Sequence, residues 1–172
     1  ISVNNASNLH LRNSMLKIIN EFIDIPQKNN CPYPQNLFVS RRPGSVRSIE
    51  NIIAIEQIAL DYGYHTIYLE NMSVVEQLLA FYHSDKVLGL HGSGLVHTIC
   101  MPKKSTLIEF TSHHLNTSFL NITDSCNIHY GYIMSQDLNS YRYRQRWSPV
   151  SSQFHLNPYL FQYACNKMVE QN

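Results

Sequence analysis

Apolar and polar residues alternate along this chain in two different periods that take turns. From Asn8 to Ile23, the residues Met15, Ile18, Ile19, Phe22 and Ile23 fall on one helical face, which predicts an amphipathic helix. Pro26, Pro32 and Pro34 then mark a loop, and Asn36 to Arg41 (NLFVSR) reads as a short apolar strand broken by RPGSV. Ile49, Ile52, Ile53 and Ala59 or Leu60 return to helical spacing and stop at Gly63. His65 to Glu70 predicts a second strand, and Ser73 with Glu76 forms a capping box for a helix to about Ser84. A third strand (KVLGLH), a short helix after Gly94 and a fourth strand from Ser105 to Phe110 follow. Then come a helix within Asn116 to Asp124, a fifth strand (IHYGYIM), and a last helix capped by Asn157 and Pro158 that runs to about Val169.

Short apolar strands alternating with helices imply βαβ units with right-handed crossovers. The expected fold class is therefore α/β, a doubly wound, mostly parallel, Rossmann-like sheet. At 172 residues the chain is expected to form a single α/β domain over 1–172. Its core would span 36–134, an irregular Arg/Tyr-rich loop 135–156, and the C-terminal helix 157–170. That loop interleaves Arg142, Arg144 and Arg146 with Tyr141, Tyr143 and Trp147, and reads as a solvated surface loop or a lid over an acceptor.

A formal charge of +1 offers no general attraction to polyanions, so no nucleic acid is expected as partner. No apolar run approaches the roughly 18 to 20 residues of a membrane span, so no direct membrane insertion is expected in this segment. The chain begins at Ile1, which points to a piece of something longer. Cys31, Cys100, Cys126 and Cys165 are far apart with no C-x-x-C pair, leaving unpaired thiols or one or two disulfides of a secretory compartment. Asn-x-Ser/Thr triplets at Asn5, Asn71, Asn116 and Asn121 fit a lumenal setting, although an Asn-rich chain also produces them by chance.

In an open parallel sheet, ligands bind beyond the carboxyl ends of the strands. There the sequence puts Arg41, Arg42 and Arg47, then Glu70 and Asn71, then His91 to Gly94, then Thr111, His113 and His114. The His91-Gly92-Ser93-Gly94 turn stands out: glycines allow positive φ and close approach, and helix N–H groups attract phosphate oxygens. Neighbouring arginines would complete a diphosphate site. A purely structural tight turn fits the same residues. No G-x-S-x-G elbow, G-x-G-x-x-G fingerprint, P-loop or H-E-x-x-H pair is present, which lowers serine hydrolases, NAD enzymes, ATPases and metal catalysis.

These motifs also occur in a recognisable order. Ser40 and Arg41, Arg47, Asn51, Ser73 with Glu76 and Gln77, His91 with Gly92, Gly94 and Leu95, Met101 with Pro102, and Glu109 together resemble glycosyltransferase family 61. The likeness covers about Phe38 to Phe110, with weaker agreement to Ile133. It implies the C-terminal, donor-binding lobe of a GT-B enzyme that is inverting and needs no obligatory metal or other cofactor. Its partners would be a nucleotide-sugar donor, most simply a UDP sugar, a glycan or glycoprotein acceptor hydroxyl, and a missing N-terminal acceptor lobe.

By that resemblance Arg41 and Arg47 clamp phosphate, while Gly92, Ser93, Gly94 and Leu95 present backbone N–H groups. Glu76 or Glu109 touches ribose or sugar hydroxyls, His91 touches phosphate or the sugar, Gln77 and Asn51 complete the donor site, and the catalytic base is His91 or Glu76 or a residue of the missing lobe. Each residue also has a structural alternative: an ion pair of Arg47 with Glu50 or Glu56, a buried strand-end Glu109, a surface Gln77, and an Asn51 that only holds the arginine loop. The rival to an enzyme is a non-catalytic nucleotide- or carbohydrate-binding module with a degenerate donor lobe, and a third reading is a purely structural domain. The compartment follows the kin: ER or Golgi lumen for animal and plant relatives, cytoplasm for bacterial ones.

Overall fold

A computed structural model describes residues 3–23, 25, 32–45, 48–111, 117–134 and 155–169. The elements are α1 (Val3–Phe22), β1 (Asn36–Val39), α2 (Ile52–Asp61), β2 (His65–Ile67), α3 (Val74–Tyr82), β3 (Lys86–Leu90), β4 (Thr106–Thr111), α4 (Ser118–Cys126), β5 (His129–Met134) and α5 (Pro158–Val169). Two 3₁₀ segments, Leu69–Asn71 and Ser93–Cys100, lie at the ends of β2 and β3. The five strands form one sheet in the order β2-β1-β3-β4-β5, and every pairing is parallel.

Strand pleat divides the core in two. Leu37, Val39, Val87 and Leu107 face a cluster with Ile19, Leu79, Phe81, Ile99 and Phe119, which covers the sheet with α1, α3, the second 3₁₀ segment and α4. Phe38, Leu88, Leu90 and Phe110 face the other cluster with Ile52, Ile55, Ala59, Phe161 and Met168 of α2 and α5. Near-continuous apolar strands such as VLGL are what a sheet covered on both faces requires. The sheet is thus doubly wound, as the alternating pattern implies.

Local signals explain most boundaries. The capping box forms: Ser73 Oγ accepts the Glu76 N–H at 3.3 Å and Glu76 Oε2 accepts the Ser73 N–H at 2.7 Å. Gly63 closes α2 with φ of 76°, and Asn127 ends α4 in the left-handed region. Asn157 Oδ1 accepts the Tyr159 N–H at 2.9 Å ahead of α5.

Three elements differ from the pattern. α1 begins at Val3 rather than Asn8, and Asn8 lies inside the helix with its side chain bonded to α4: Nδ2 donates to Asn121 O and Ser125 Oγ. β2 stops at Ile67, where the partner ladder on β1 ends, and Gln77 Nε2 draws the following segment toward α3 by donating to Leu69 O (2.9 Å) and Met72 O (3.0 Å). The helix after Gly94 is 3₁₀, with Leu95 N–H bonded to Gly92 O at 3.0 Å.

Cys100, Cys126 and Cys165 are buried free thiols, and burial pushes Cys100 up to about 11 and Cys165 up to about 12, which keeps both protonated and unreactive. Cys31 lies outside the described residues, as do 135–154 of the Arg/Tyr-rich stretch. None of the described helices is long and apolar enough to cross a membrane.

Asn51 ties the two helices of the second face together. Its Nδ2 donates to Leu156 O at 2.8 Å and its Oδ1 accepts the Leu156 N–H at 3.1 Å, so the peptide leading into α5 is bonded to the start of α2. Asn51→Ala removes both bonds and is expected to cost about 2 kcal/mol. Asn51→Asp keeps the acceptor for the Leu156 N–H but sets a second carboxylate oxygen against Leu156 O, and should cost at least as much. Urea unfolding midpoints of the three chains check the order.

Candidate functional site

Winding reverses at β1. The crossover through α2 carries the chain to β2 on one side, and the crossover through α3 carries it past β1 to β3 on the other. The carboxyl ends of β1 and β3 therefore diverge into a crevice that no crossover covers. A cleft of about 260 Å³ occupies that place, lined by Val39, Ser40 and Arg41 after β1, Leu69 and Glu70 after β2, Gln77 of α3, and Leu90 with Gly92 to Gly94 after β3.

Arg41 spans the divide. Its Nη2 donates to His91 O at 3.0 Å, and a methyl group on Gly92 would lie 1.8 Å from the same nitrogen. Glycine at 92 thus lets the guanidinium lie against the backbone, where a methyl group would displace it, and is not needed for positive φ, since its φ of 163° is ordinary extended backbone. Gly94 serves likewise: a Cβ there would meet Leu69 Cδ1 at 2.4 Å. The N–H groups of Ser93 and Gly94 open the 3₁₀ segment and take no hydrogen-bond partner among the described residues. One guanidinium and two unpaired donors thus meet at one wall, a local field suited to an anion.

Leu95 does not join them. It is 1% exposed, its side chain fills the space that a Cβ on Gly89 would need, and its N–H is already bonded to Gly92. Gln77 lines the cleft yet is committed on both sides: its amide nitrogen holds Leu69 and Met72, and its Oε1 faces His97 Nε2 at 2.8 Å. Because both amide donors go to carbonyls, His97 Nε2 must carry the proton of that bond.

The remaining expected residues lie elsewhere. Glu76 is exposed, and its carboxylate is spent on the Ser73 cap, whose hydrogen bonds hold it below the usual range. Asn51 bonds Leu156 as described, and Arg47 lies outside the described residues. The His91 ring does not line the cleft; it packs edge-on against Phe119 at 5.8 Å, and its Nδ1 bonds Glu109 Oε1. Glu109 is 2% exposed and accepts a second bond from Tyr130 Oη at 2.5 Å, so the buried carboxylate is compensated by two donors. Burial first, and then Glu109, push the Tyr130 phenol up, which keeps it a donor.

The pattern of strand ends placed Arg41, Glu70 and the glycine turn in the cleft, whereas Ser40 had entered only through the ordered motifs and Leu69 was not singled out. Ser40 Oγ donates to Glu56 Oε1 at 3.0 Å, and Tyr68 Oη bonds the same oxygen. Burial and that carboxylate push Tyr68 up to about 12. The available signal was position: each of these residues lies within three of a strand's end. Among the described residues, no group of three or more His, Cys, Asp or Glu gathers as a metal site.

The fold and this crevice define a doubly wound α/β domain with a glycine turn and its open N–H groups at the switch point. Residues 1–108, more than half of the chain, match the family model described as Glycosyltransferase 61, and the chain belongs to that family. The match takes in α1, which the ordered motifs from Phe38 onward had not included. No curated protein matches the chain. Families of this kind transfer a sugar from a donor to an acceptor, and membership sets that class of activity.

Burial lowers the His97 pKa from its ordinary 6.5, so the folded chain takes this proton only at lower pH than the unfolded chain does. The contribution of His97 is complete above pH 6.5 and is lost as pH falls below it, down through the folded value. His97→Gln keeps a partner for Gln77 without the titration. Its unfolding free energy should fall less steeply between pH 7 and pH 5 than that of the parent chain, as urea melts across that range would show.

Proposed function

We propose that this chain is the donor-binding lobe of an inverting, metal-independent GT-B glycosyltransferase that takes a nucleotide sugar, most simply a UDP sugar, and serves a hydroxyl acceptor on a glycoprotein or polysaccharide. The observation that carries the reading is the meeting of Arg41 with the Ser93 and Gly94 N–H groups at the β1/β3 crevice, in a chain that belongs to a glycosyltransferase family. A leaving diphosphate gains negative charge as the sugar departs, and preorganised donors at that position stabilise it most in the transition state. Arg41 supplies the fixed cation that a metal supplies elsewhere.

Of the two residues expected as base, His91 has the more suitable surroundings. It directly precedes the glycine turn, and the bond between its Nδ1 and Glu109 Oε1 orients the ring. Glu76 remains the α3 cap. The acceptor lobe belongs to another part of the enzyme, and a lumenal location of the ER or Golgi accords with exposed Asn71 in its acceptor triplet.

Calorimetric titration of the chain with UDP, with and without a chelator, tests the reading. Binding should be chelator-insensitive, and Arg41→Ala should weaken it on the order of 10- to 100-fold, the value of one or two charge-assisted hydrogen bonds. Gly92→Ala, whose methyl group displaces the guanidinium, should weaken it similarly. Slow hydrolysis of the donor sugar by the chain, lost with Arg41, marks the enzyme; nucleotide binding without turnover, even with an acceptor lobe supplied, would mark a binding module instead.

A further inference from the structure

Glu56 of α2 does not line the cleft, yet its carboxylate holds two of the segments that do. Ser40 Oγ donates to Glu56 Oε1 at 3.0 Å, and Tyr68 Oη donates to the same oxygen. Each donor directly precedes a residue of the cleft: Ser40 comes before Arg41, and Tyr68 before Leu69. Ser40 is 3% exposed, and its N–H bonds Ile67 O at 2.9 Å, which carries the pairing of β1 with β2 one residue past Val39. Arg41 therefore leaves the sheet from a residue held by both backbone and side chain. Burial first, and then Glu56, push the Tyr68 phenol up, so that it stays a donor.

We propose that Glu56 is a positioning residue of the glycine-turn site: by gathering Ser40 and Tyr68 on one oxygen it sets Arg41 against Gly92 and Leu69 against Gly94, and its effect on ligand binding rests on the nucleotide reading above. The turn is gripped by two side chains, since a Cβ on Gly92 would meet Arg41 Nη2 and a Cβ on Gly94 would meet Leu69 Cδ1 at 2.4 Å. Both side chains start one residue from a hydroxyl that Glu56 holds. Arginine has many rotamers to lose, and a fixed starting point lowers the entropic cost of presenting the guanidinium to an anion. The carboxylate acts through these neighbours and not on the ligand. What it needs is an oxygen that accepts two hydroxyls, rather than a negative charge.

The test is calorimetric titration of the full 172-residue chain with UDP and with inorganic pyrophosphate, together with glycine-selective ¹⁵N spectra of the unliganded chains. Glu56→Ala should weaken both ligands about tenfold, and Glu56→Gln, whose amide oxygen accepts the same two hydroxyls, should restore most of that affinity. In an Arg41→Ala background, Glu56→Ala should cost about threefold or less, because much of its effect runs through the guanidinium. Should Glu56→Ala not fold, Tyr68→Phe makes the same comparison, with a loss of about threefold in the parent. An equal loss in both backgrounds makes Glu56 only a brace of the fold and overturns the assignment, as does a Glu56→Gln chain that binds no better than Glu56→Ala. Without ligand, Tyr68→Phe should move the amide signals of Gly92 and Gly94 and leave that of Gly131 in β5 in place. Unmoved Gly92 and Gly94 signals overturn the positioning role whatever the ligands do. Failure of UDP and pyrophosphate alike to bind the parent overturns the nucleotide reading instead, and the two glycine signals then decide the role of Glu56 by themselves.

Discussion

The reversal of winding at β1 is the constraint on which the rest depends. Right-handed crossovers can leave a parallel sheet on either face, but the chain must change faces to add strands on both sides of its first one. Here α2 takes one face and α3 the other, so the ends of β1 and β3 have nothing above them. Backbone carbonyls at such a gap need partners, and Arg41 provides one by reaching from β1 to the His91 carbonyl. The most polar point of the crevice is thus built from a long side chain on one strand and a bare backbone on the next.

Glycine makes that closeness possible three times over. Leu95 fits where Gly89 has no side chain, Arg41 lies on Gly92, and Leu69 lies on Gly94. Each pair joins a different layer: the 3₁₀ segment to its own strand, β1 to β3, and the β2 rim to the turn. The turn is consequently seated from three sides, and Ser93 and Gly94 present their N–H groups from a backbone that packing holds still. Preorganisation of this kind lets donors stabilise developing charge without reorganising during the reaction.

Behind the turn, polar side chains are buried in matched sets. Glu109 receives His91 and Tyr130 on one face of β3, β4 and β5, and Gln77 joins His97 to the backbone of the β2 rim. Arg12 of α1, 4% exposed, gives its two terminal nitrogens to Ile99 O and Met101 O at the end of the 3₁₀ segment, where unpaired carbonyls collect. These bonds fix which way the covering segments enter and leave the sheet. Apolar packing alone would allow more than one arrangement.

Sequence alone determined the alternation of strands and helices, the capping box at Ser73, the stop at Gly63 and the placing of Arg41 beside the glycine turn. Those features depend on residues close in the chain, or on the general rule that parallel strands carry their ligands at the carboxyl end. The order of motifs from Ser40 to Glu109 also carried the family, which the match over 1–108 establishes. Tertiary structure decided what each polar side chain faces. Glu76 and Asn51 read equally well as ligand groups or as local fasteners until the bonds to Ser73 and Leu156 are seen, and Leu95 reads as a donor until its N–H is found on Gly92. The same holds for Glu70, whose anchor on Arg42 comes from a loop 28 residues earlier. Periodicity reports which face of an element is buried; it carries no information on which long-range partner satisfies a given donor or acceptor, and that pairing separates a site from its scaffold.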